Sequence, residues 1–400
     1  MPSFNVIDAE GAVTIDAYIY AFRNGVHYQI GGGGGTVLIN LENGAKYDLG
    51  VNRTKTGSVK LINYKLATKS TVVLRILYIP SSGIIRVADV EVDIDAKTAN
   101  ETVVKDLSLS WADDSTDYVV LPPRLLICRE TDSGVIHYVD LEDGSEVNFD
   151  TGFGSYFPRT SWKIVPRKDD LYMLLGKHLA GDNFRALKIY SQSVVDLGFN
   201  TGGGSPRPLI GGICNFNDEF LVLASSGGVN DADNDLKILD SAFNVKATID
   251  LAGIAGYGNA SCYGGFHIIA KKTDGGYYAL AYIDQPTGGD APLSLWWLEL
   301  DNTFAVVSKQ QIYSASGKEP HANIFSESSG HHASPLIDLA RKKIYMPLYH
   351  YVEASSSHVR KIVQIDVSDV WDNIAEFNKV NWFMPQLKIP TTLTLNVTPL

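Results

Sequence analysis

The stretch that decides the fold is Leu-Ser-Leu-Trp-Trp-Leu-Glu-Leu-Asp-Asn-Thr, residues 293–303. It reads as a strand that ends at an apolar residue, Leu300, and continues through an acid, Asp301, into a short polar turn. A junction of this kind, in which an acid or a serine follows the apolar residue, occurs seven times along the chain. The junctions are Leu41-Glu42, Ile94-Asp95, Leu141-Glu142, Tyr190-Ser191, Leu239-Asp240, Leu300-Asp301 and Ile365-Asp366.

The spacing of these junctions indicates a repeat. Neighbouring junctions are 47 to 65 residues apart, and strand-like runs with polar turns fill the intervals. A period of about 50 residues with all-β texture is typical of a β-propeller, in which each repeat is one four-stranded blade. A length of 400 residues does not require a second domain, because a propeller grows by radial repetition. The sequence therefore predicts an all-β protein in which residues 1–400 form a single seven-bladed β-propeller.

The N-terminal residues allow a second interpretation. Residues 4–11 (FNVIDAEG), 17–20 (AYIY), 24–25 (NG) and 37–49 (VLINLENGAKYDL) resemble the carboxypeptidase regulatory-like β-sandwich. The resemblance covers residues 4–51 and implies a different division of the chain. A β-sandwich-like domain would span residues 1–115, a propeller of five or six blades would span residues 116–390, and residues 391–400 would be a closing or exchanged strand.

Ring closure is a further question that the sequence raises. A propeller has to close without leaving an open sheet edge. Two segments are strand-like enough to complete a terminal blade, residues 4–7 (FNVI) and residues 393–397 (LTLNV). Closure by one of them is favoured over the alternative, in which the C-terminal segment adds a strand to a neighbouring subunit. The five glycines at residues 31–35 predict a flexible loop, because no P-loop or dinucleotide-binding pattern accompanies them.

Composition narrows the classes of partner. The net charge is −11 and basic residues are scattered, which argues against nucleic acid or an anionic membrane as the main partner. Three cysteines far apart do not form a disulfide framework. We see no secretory signal and no apolar stretch long enough for a membrane span, so the localisation stays unknown, with the virion surface and the cytoplasm both open.

Histidines concentrate near the C-terminus and suggest a place for chemistry. His331 and His332 begin a run that leads into the tyrosine- and histidine-bearing segment 343–351. The stretch 330–351 resembles BNR-like propeller polysaccharide lyases, which carry a His-x-x-x-Pro strand before a strand with tyrosine and histidine. The resemblance implies that His331 or His332 contacts the sugar or a metal, that Tyr349 or Tyr351 acts as acid and base, and that an arginine such as Arg360 neutralises a uronate carboxylate. His350 completes this set of catalytic candidates.

Other residues could bind a ligand or a metal. Asp231, Asp233 and Asp235 have the D-x-D-x-D spacing of a calcium loop, but the later positions of an EF-hand are not filled by the residues it needs. His267 and His321 are further imidazoles, and the tryptophans at 296 and 297 could stack on sugars. Since neighbouring strand residues face opposite sides, one of these two tryptophans is expected to pack between blades. We expect no cofactor, with Ca²⁺ or Zn²⁺ as the alternatives.

These observations favour a protein that binds rather than catalyses. The sequence lacks sialidase, WD40 and nucleophile-elbow signatures, and its repeats are irregular. We therefore expect a non-catalytic β-propeller that acts as a binding or structural surface component of an assembly, such as a virion or cell surface. Its partner would be protein or glycan, and a homo-oligomer or larger assembly is open. The alternative is a glycan-cleaving propeller enzyme that uses the C-terminal His and Tyr residues.

Overall fold

The structure of the protein is a computed structural model. The described residues are 2–8, 17–22, 25–32, 35–40, 46–48, 60–68, 70–93, 95–96, 98–112, 117–121, 125–129, 135–150, 158–159, 164–166, 171–177, 185–188, 190–196, 209–225, 236–242, 244–256, 263–284, 294–314, 335–339, 341–352 and 357–378. Within them, no helix has the length and apolar character that a membrane crossing needs.

Nearly all regular structure in the described residues is β. One short α-helix, α1 (Leu251–Ala255), and one 3₁₀ helix (Ser368–Asn373) accompany the strands. The strands are β1 (Ser3–Asp8), β2 (Ala17–Phe22), β3 (Gly25–Gly32), β4 (Gly35–Asn40), β5 (Lys46–Asp48), β6 (Lys60–Leu66), β7 (Thr71–Ser81), β8 (Ile84–Asp93), β9 (Thr98–Ser108), β10 (Asp117–Leu121), β11 (Leu125–Arg129), β12 (Val135–Asp140), β13 (Glu146–Asp150), β14 (Pro158–Arg159), β15 (Ile164–Pro166), β16 (Leu171–Lys177), β17 (Arg185–Lys188), β18 (Ser193–Asp196), β19 (Leu209–Asn215), β20 (Phe220–Ser225), β21 (Leu236–Leu239), β22 (Val245–Ile249), β23 (Tyr263–Lys272), β24 (Tyr277–Asp284), β25 (Ser294–Leu300), β26 (Val306–Ser314), β27 (Leu336–Asp338), β28 (Lys343–Val352), β29 (Ser357–Asp366) and β30 (Ile374–Phe377).

The chain divides into two compact units. The larger unit consists of Met1–Ala9 and Pro158–Trp382, and the smaller unit consists of Glu10–Phe157 and Phe383–Leu400. In the smaller unit, the described strands form three sheets of four strands, β2–β5, β6–β9 and β10–β13. In the larger unit they form four sheets, which contain β14–β18, β19–β22, β23–β26 with β30, and β27–β29 with β1.

The sheet order identifies the fold class. Four of the seven sheets that the described strands form are antiparallel meanders in which strands consecutive in the chain are neighbours, and the other three contain such a meander with one added strand. Within the units, the first strand of one sheet contacts the first strand of the next, as β6 does with β10 and β19 with β23. Repeated four-stranded meanders of this kind are the blades of a β-propeller. The predicted fold class, an all-β protein with the β-propeller fold, is confirmed; the blade count and the division into domains stay predictions.

The N-terminal strand belongs to the sheet formed by the last strands of the larger unit. β1 pairs antiparallel with β29, with Phe4 opposite Ile365 and Val6 opposite Val363. The sheet order is β1-β29-β28-β27, so β1 is its outermost strand. Of the two segments that could close a terminal sheet, the N-terminal one therefore does so. The alternative closing segment, residues 391–400, lies outside the described residues.

Three of the five glycines at residues 31–35 lie in paired strands, which corrects the flexible loop expected there for these three residues. Gly31 and Gly32 end β3 and Gly35 begins β4, with Gly32 opposite Gly35 and Gly31 opposite Thr36. The sequence did not predict β3, because glycine disfavours strands and β3 ends in two glycines.

The acids of the repeated junctions have a structural role, which is clearest at Asp301. Its Oδ1 accepts hydrogen bonds from the backbone N–H of Thr303 at 2.8 Å and of Ala305 at 3.0 Å. The carboxylate thus holds the turn between β25 and β26. Phe304, in the same turn, has φ of 67°, the left-handed conformation that such hairpins require at this place.

The same arrangement recurs in other sheets. An aspartate Oδ1 accepts at least one backbone N–H of the turn that follows a strand at Asp93, Asp140, Asp240, Asp301 and Asp366. At two turns, this aspartate lies two residues before the acid of the predicted junction, Asp95 or Glu142. The repeat that predicts the propeller is therefore a repeat of turn chemistry, and these acids serve the fold.

The sheet β23–β26 is buried on both faces. On one face Leu280 and Trp297 pack with residues of β28 and β29, such as Ile344. On the other face Phe266 and Ala281 pack with residues of β20 and β21. A fully buried side chain of this size stabilises a fold by about 1.5–3 kcal/mol. The continuous apolar runs of these strands follow from this two-sided burial.

Candidate functional site

Part of the predicted C-terminal catalytic set can be placed on the sheet. Tyr349 and His350 lie in β28 and Arg360 lies in β29. The register puts Tyr349 opposite Arg360, whereas His350 is opposite Val359. Tyr349 and Arg360 are thus cross-strand neighbours. The remaining histidines of the predicted site, at 321, 331 and 332, lie outside the described residues.

Two of the predicted ligand-binding residues are core residues. His267 lies in β23 opposite Leu280 and is 3% exposed. Trp297 lies in β25, is 1% exposed, and its ring centroid is 5.3 Å from that of Tyr278. A buried ring has no free face on which a sugar could stack. Both residues therefore support packing between sheets.

Trp296 lies on the other side of the same strand and is partly buried. Its indole Nε1 donates to the Ser294 hydroxyl at 2.8 Å. The Lys309 ammonium lies over the ring, 5.6 Å from its centroid, and also donates to the Ile254 carbonyl at the end of α1. Lys309 therefore covers the ring by a cation–π contact, and its hydrogen bond to Ile254 connects α1 to β26.

The predicted calcium loop cannot be placed. Asp231, Asp233 and Asp235 lie outside the described residues. Among the residues that the structure does describe, no group of three or more His, Cys, Asp or Glu side chains could hold a metal ion.

A polar cluster that sequence reasoning missed joins two sheets of the larger unit. Glu219, in the turn between β19 and β20, accepts hydrogen bonds from the Tyr277 hydroxyl and the Lys246 ammonium. Lys271 binds Asp218 at 3.0 Å and lies 3.6 Å from Glu219. The five residues lie on four different strands or turns, so no local motif could have revealed the cluster.

The cluster changes the acidity of its members. Burial alone would raise the pKa of Glu219, but the hydrogen bonds from Lys246 and Tyr277 outweigh it and the pKa is lowered. The pKa of Tyr277 is raised, by burial first and by its hydrogen bond to Glu219 second. The carboxylate is therefore held ionised and the phenol neutral. These protonation states keep the hydrogen bond between Tyr277 and Glu219 intact, so the cluster can hold the two sheets together.

A second missed cluster lies in the smaller unit. His137 is 3% exposed, and its Nδ1 is 2.6 Å from Glu146 Oε1. The same oxygen accepts a hydrogen bond from Trp111 Nε1 at 2.9 Å. The Trp111 and His137 rings stack with centroids 4.1 Å apart. The group joins the segment after β9 to β12 and β13.

The outer strands carry the exposed apolar surface. Seven large apolar residues are exposed in the described part of the chain, and six of them lie on the outermost strands of their sheets. These six are Phe4 on β1, Val103 and Val104 on β9, Val245 on β22, and Val306 and Val307 on β26. Val307 is 65% exposed, and β9 and β26 each present two consecutive valines. We call this set the outer-strand surface.

Bulges shape the outer-strand surface. In β26, Val306 is opposite Leu300 and Ser308 is opposite Glu299, so Val307 is an extra residue. Val104 is the extra residue of β9 in the same way. A bulge leaves such a residue unpaired and turns it outward, which explains why each valine pair is exposed. The signal in the sequence is a Val-Val doublet in the fourth strand of a repeat.

Charged groups surround the valines of β9. Arg86 binds Asp106 through two parallel hydrogen bonds of 2.7 and 2.8 Å, which lowers the pKa of Asp106. The Tyr78 hydroxyl donates to Glu101 at 2.5 Å. Burial, reinforced by this hydrogen bond, raises the pKa of Tyr78 to about 12. The valines thus lie within a rim of paired charges.

Comparison with known proteins gives structural neighbours only. No protein-family model and no curated protein matches the chain. It is similar to the WD40 domain of SCAP from fission yeast, with 8% identity over 85% of this chain and 81% of that chain and a TM-score of 0.42. It is also similar to the Cps50 (Swd1) β-propeller domain of Myceliophteria thermophila, with 9% identity, 92% and 100% coverage and a TM-score of 0.46. It is similar as well to apo AztD from Citrobacter koseri, with 11% identity over 82% of this chain and 91% of that chain and a TM-score of 0.31.

Proposed function

We propose that the chain is a non-catalytic β-propeller that serves as a binding or structural component of a larger assembly, and that a protein partner contacts its outer-strand surface. The observation that carries this proposal is the concentration of exposed valines on the outermost strands. On β9 and on β26, two consecutive valines are exposed, and exposed apolar residues grouped in this way are typical of protein interaction sites. A virion or cell surface is the setting that we propose for the assembly.

The chemistry of the surface favours protein over glycan. Its residues are mainly aliphatic, whereas sugar sites offer an aromatic face for stacking. Trp297 is buried and Trp296 is covered by Lys309, so neither indole supplies such a face. Extended outer strands also offer a partner backbone hydrogen bonds along the sheet edge.

Site-specific photo-crosslinking tests the proposal. A photoreactive residue is placed at Val307 on the outer-strand surface and, as the matched control, at Asn302 in the exposed turn of the same sheet. We expect one crosslinked protein, identified by mass spectrometry, from position 307 and none from position 302. The unlabelled wild-type chain should compete for the crosslink and the Val307→Glu variant should not. Equal products from both positions, or none from either, would contradict the proposal.

The second candidate function is glycan cleavage, favoured by one observation, the pairing of Tyr349 with Arg360. An acid–base tyrosine beside a uronate-binding arginine is the arrangement that a lyase needs. Incubation with acidic polysaccharides, followed by absorbance of unsaturated uronate products, separates the two functions. Turnover that is lost in Tyr349→Phe would establish the enzyme and refute the non-catalytic proposal.

A further inference from the structure

The segment after the last sheet crosses back over two earlier sheets of the larger unit. We call residues 367–378 the strap; it contains the 3₁₀ helix and β30. At its start, Val367 N–H donates to the Lys342 carbonyl at 3.0 Å. Further on, Asn373 O accepts from Thr273 N–H at 2.9 Å. Lys342 and Thr273 follow the first strands of their sheets, so the strap runs along the first turns of neighbouring sheets.

The end of the strap occupies a groove made of backbone groups. β30 pairs antiparallel with β23, with Phe377 opposite Ala270 and Glu376 opposite Lys271. This pairing makes β30 a fifth strand on the free side of β23, opposite β24. The groove has β23 as one wall and the end of β19 as the other.

A bulge in β23 prepares its wall of the groove. Ile268 is opposite Ala279 and Ala270 is opposite Tyr278, so Ile269 is an extra residue. A strand without a bulge directs successive carbonyls to opposite sides. Here the carbonyls of Ile268 and Ile269 both accept from Asn378, at 2.9 Å from its side-chain amide and 2.8 Å from its backbone N–H.

The β19 wall offers two donors. The Asn378 side-chain oxygen accepts from the backbone N–H of Asn215 at 3.0 Å. The Glu376 carboxylate accepts from the backbone N–H of Asn217 at 2.9 and 3.0 Å. Two donors that are two residues apart, one at the end of β19 and one in the turn that follows it, thus meet side chains that are two residues apart on the strap. Asn378 is 2% exposed, so its hydrogen bonds are shielded from solvent, whereas Asn217 is exposed.

We propose that this groove is a peptide-binding site and that the strap is its resident, displaceable occupant. Its ligand would be an extended segment of a partner protein that carries Glu and Asn two positions apart with an aromatic residue between them. Within the described part of the chain, β30 pairs with residues 270–272 of the ten residues of β23. A longer partner strand could continue the ladder toward Tyr263 and so displace the strap. The proposal goes beyond the outer-strand surface and does not depend on it.

The test measures binding of a peptide by the full chain. The probe is a fluorescent peptide with the sequence of residues 372–380 (DNIAEFNKV), followed by fluorescence anisotropy. In the wild type the strap competes with the probe. The apparent affinity of the groove for the probe is therefore its intrinsic affinity multiplied by the small fraction of molecules in which the strap is displaced. Asn378→Ala removes two buried side-chain hydrogen bonds of the strap, so that protein should bind the probe at least about tenfold more tightly than the wild type does. Asp372→Asn, an exposed change in the strap, is the matched control and should bind like the wild type.

Further variants keep the test decisive if Asn378→Ala does not fold. Glu376→Ala removes a partly buried carboxylate and should also tighten probe binding. A probe peptide in which the residues corresponding to Glu376 and Asn378 are both alanine should bind either protein variant more weakly than the native probe does. Equal affinity of wild type and strap variants, equal affinity of native and substituted probes, or no binding to a folded strap variant would overturn the proposal. A concentration-dependent wild-type dimer that Asn378→Ala abolishes would assign the groove to the strap of a second copy instead. Crosslinking at Val307 would be unaffected by any of these results.

Discussion

The carboxylate of Glu219 is the most informative single group to remove. It accepts from the Lys246 ammonium of its own sheet and, across the contact between two sheets, from the hydroxyl of Tyr277, a residue that is only 3% exposed. Glu219→Ala leaves the phenol without this acceptor and both nearby ammonium groups without their shared counter-charge. We expect a loss of stability in the larger unit.

The magnitude follows from burial. An unsatisfied buried hydroxyl costs about 1–3 kcal/mol. The Lys246 side chain is 40% exposed, so its ion pair with Glu219 is screened by solvent and is worth about 0.2–1 kcal/mol. Together these give an expected loss of about 1–4 kcal/mol for Glu219→Ala.

The neighbouring residue supplies the matched control. Asp218 lies in the same turn and binds the same Lys271, but its side chain is 70% exposed. Asp218→Ala should therefore cost less than about 1 kcal/mol. Tyr277→Phe removes the other partner of the central hydrogen bond, and its cost should largely disappear in the Glu219→Ala background.

Guanidinium unfolding together with amide hydrogen exchange in β24 measures these costs. Hydrogen exchange is needed because a chain with two compact units does not have to unfold in one step. We expect protection in β24 to fall in Glu219→Ala and to be retained in Asp218→Ala. Equal losses in the two variants, or fully additive costs for Glu219→Ala and Tyr277→Phe, would refute the reasoning.

Three further predictions concern acidity, turns and close packing. The pKa of Glu219 is lowered from 4.5, so the ionised carboxylate stabilises the fold above pH 4.5 and this stabilisation is lost as the pH falls through the folded-state pKa. The difference in free energy of unfolding between wild type and Glu219→Gln should therefore shrink as the pH is lowered, which unfolding curves in acid measure. Asp301→Ala should lower the thermal midpoint while Asp301→Asn and Asn302→Ala change it little, because only the first removes the turn acceptor; equal midpoints would contradict this. Gly276→Ala should destabilise the fold by about 2 kcal/mol or more, since its Cβ would lie 2.3 Å from the Leu300 carbonyl oxygen, whereas Gly83→Ala, with φ of 80° in open space, should cost about 1 kcal/mol in the same unfolding assay.

The fold could be predicted because its determinants are local and repeated. The strand β25 was predicted to within one residue at each end, because an apolar run and a polar turn mark it directly. The acids at 240, 301 and 366 follow their strands as predicted, and at other turns the functional aspartate is two residues earlier. The rule that a sheet edge must be closed reduced the candidates for the closing strand to two segments, and the pairing of β1 with β29 in the structure identifies the N-terminal one.

The candidate sites were much less predictable because their members come from distant parts of the chain. Histidines and acids that are close together in the sequence indicate metal loops or sites on adjacent strands, and the predicted sites were of this kind. The groove beneath the strap instead joins Asn217 to Glu376, which are 159 residues apart. Its chemistry is carried by backbone N–H and C=O groups, which every residue has, so no residue type marks it. Only the bulge at Ile269 and the sheet order bring these groups together. A site of this kind can be recognised in the sequence only by its occupant, and here the chain itself contains that occupant, the Glu-Phe-Asn run at 376–378.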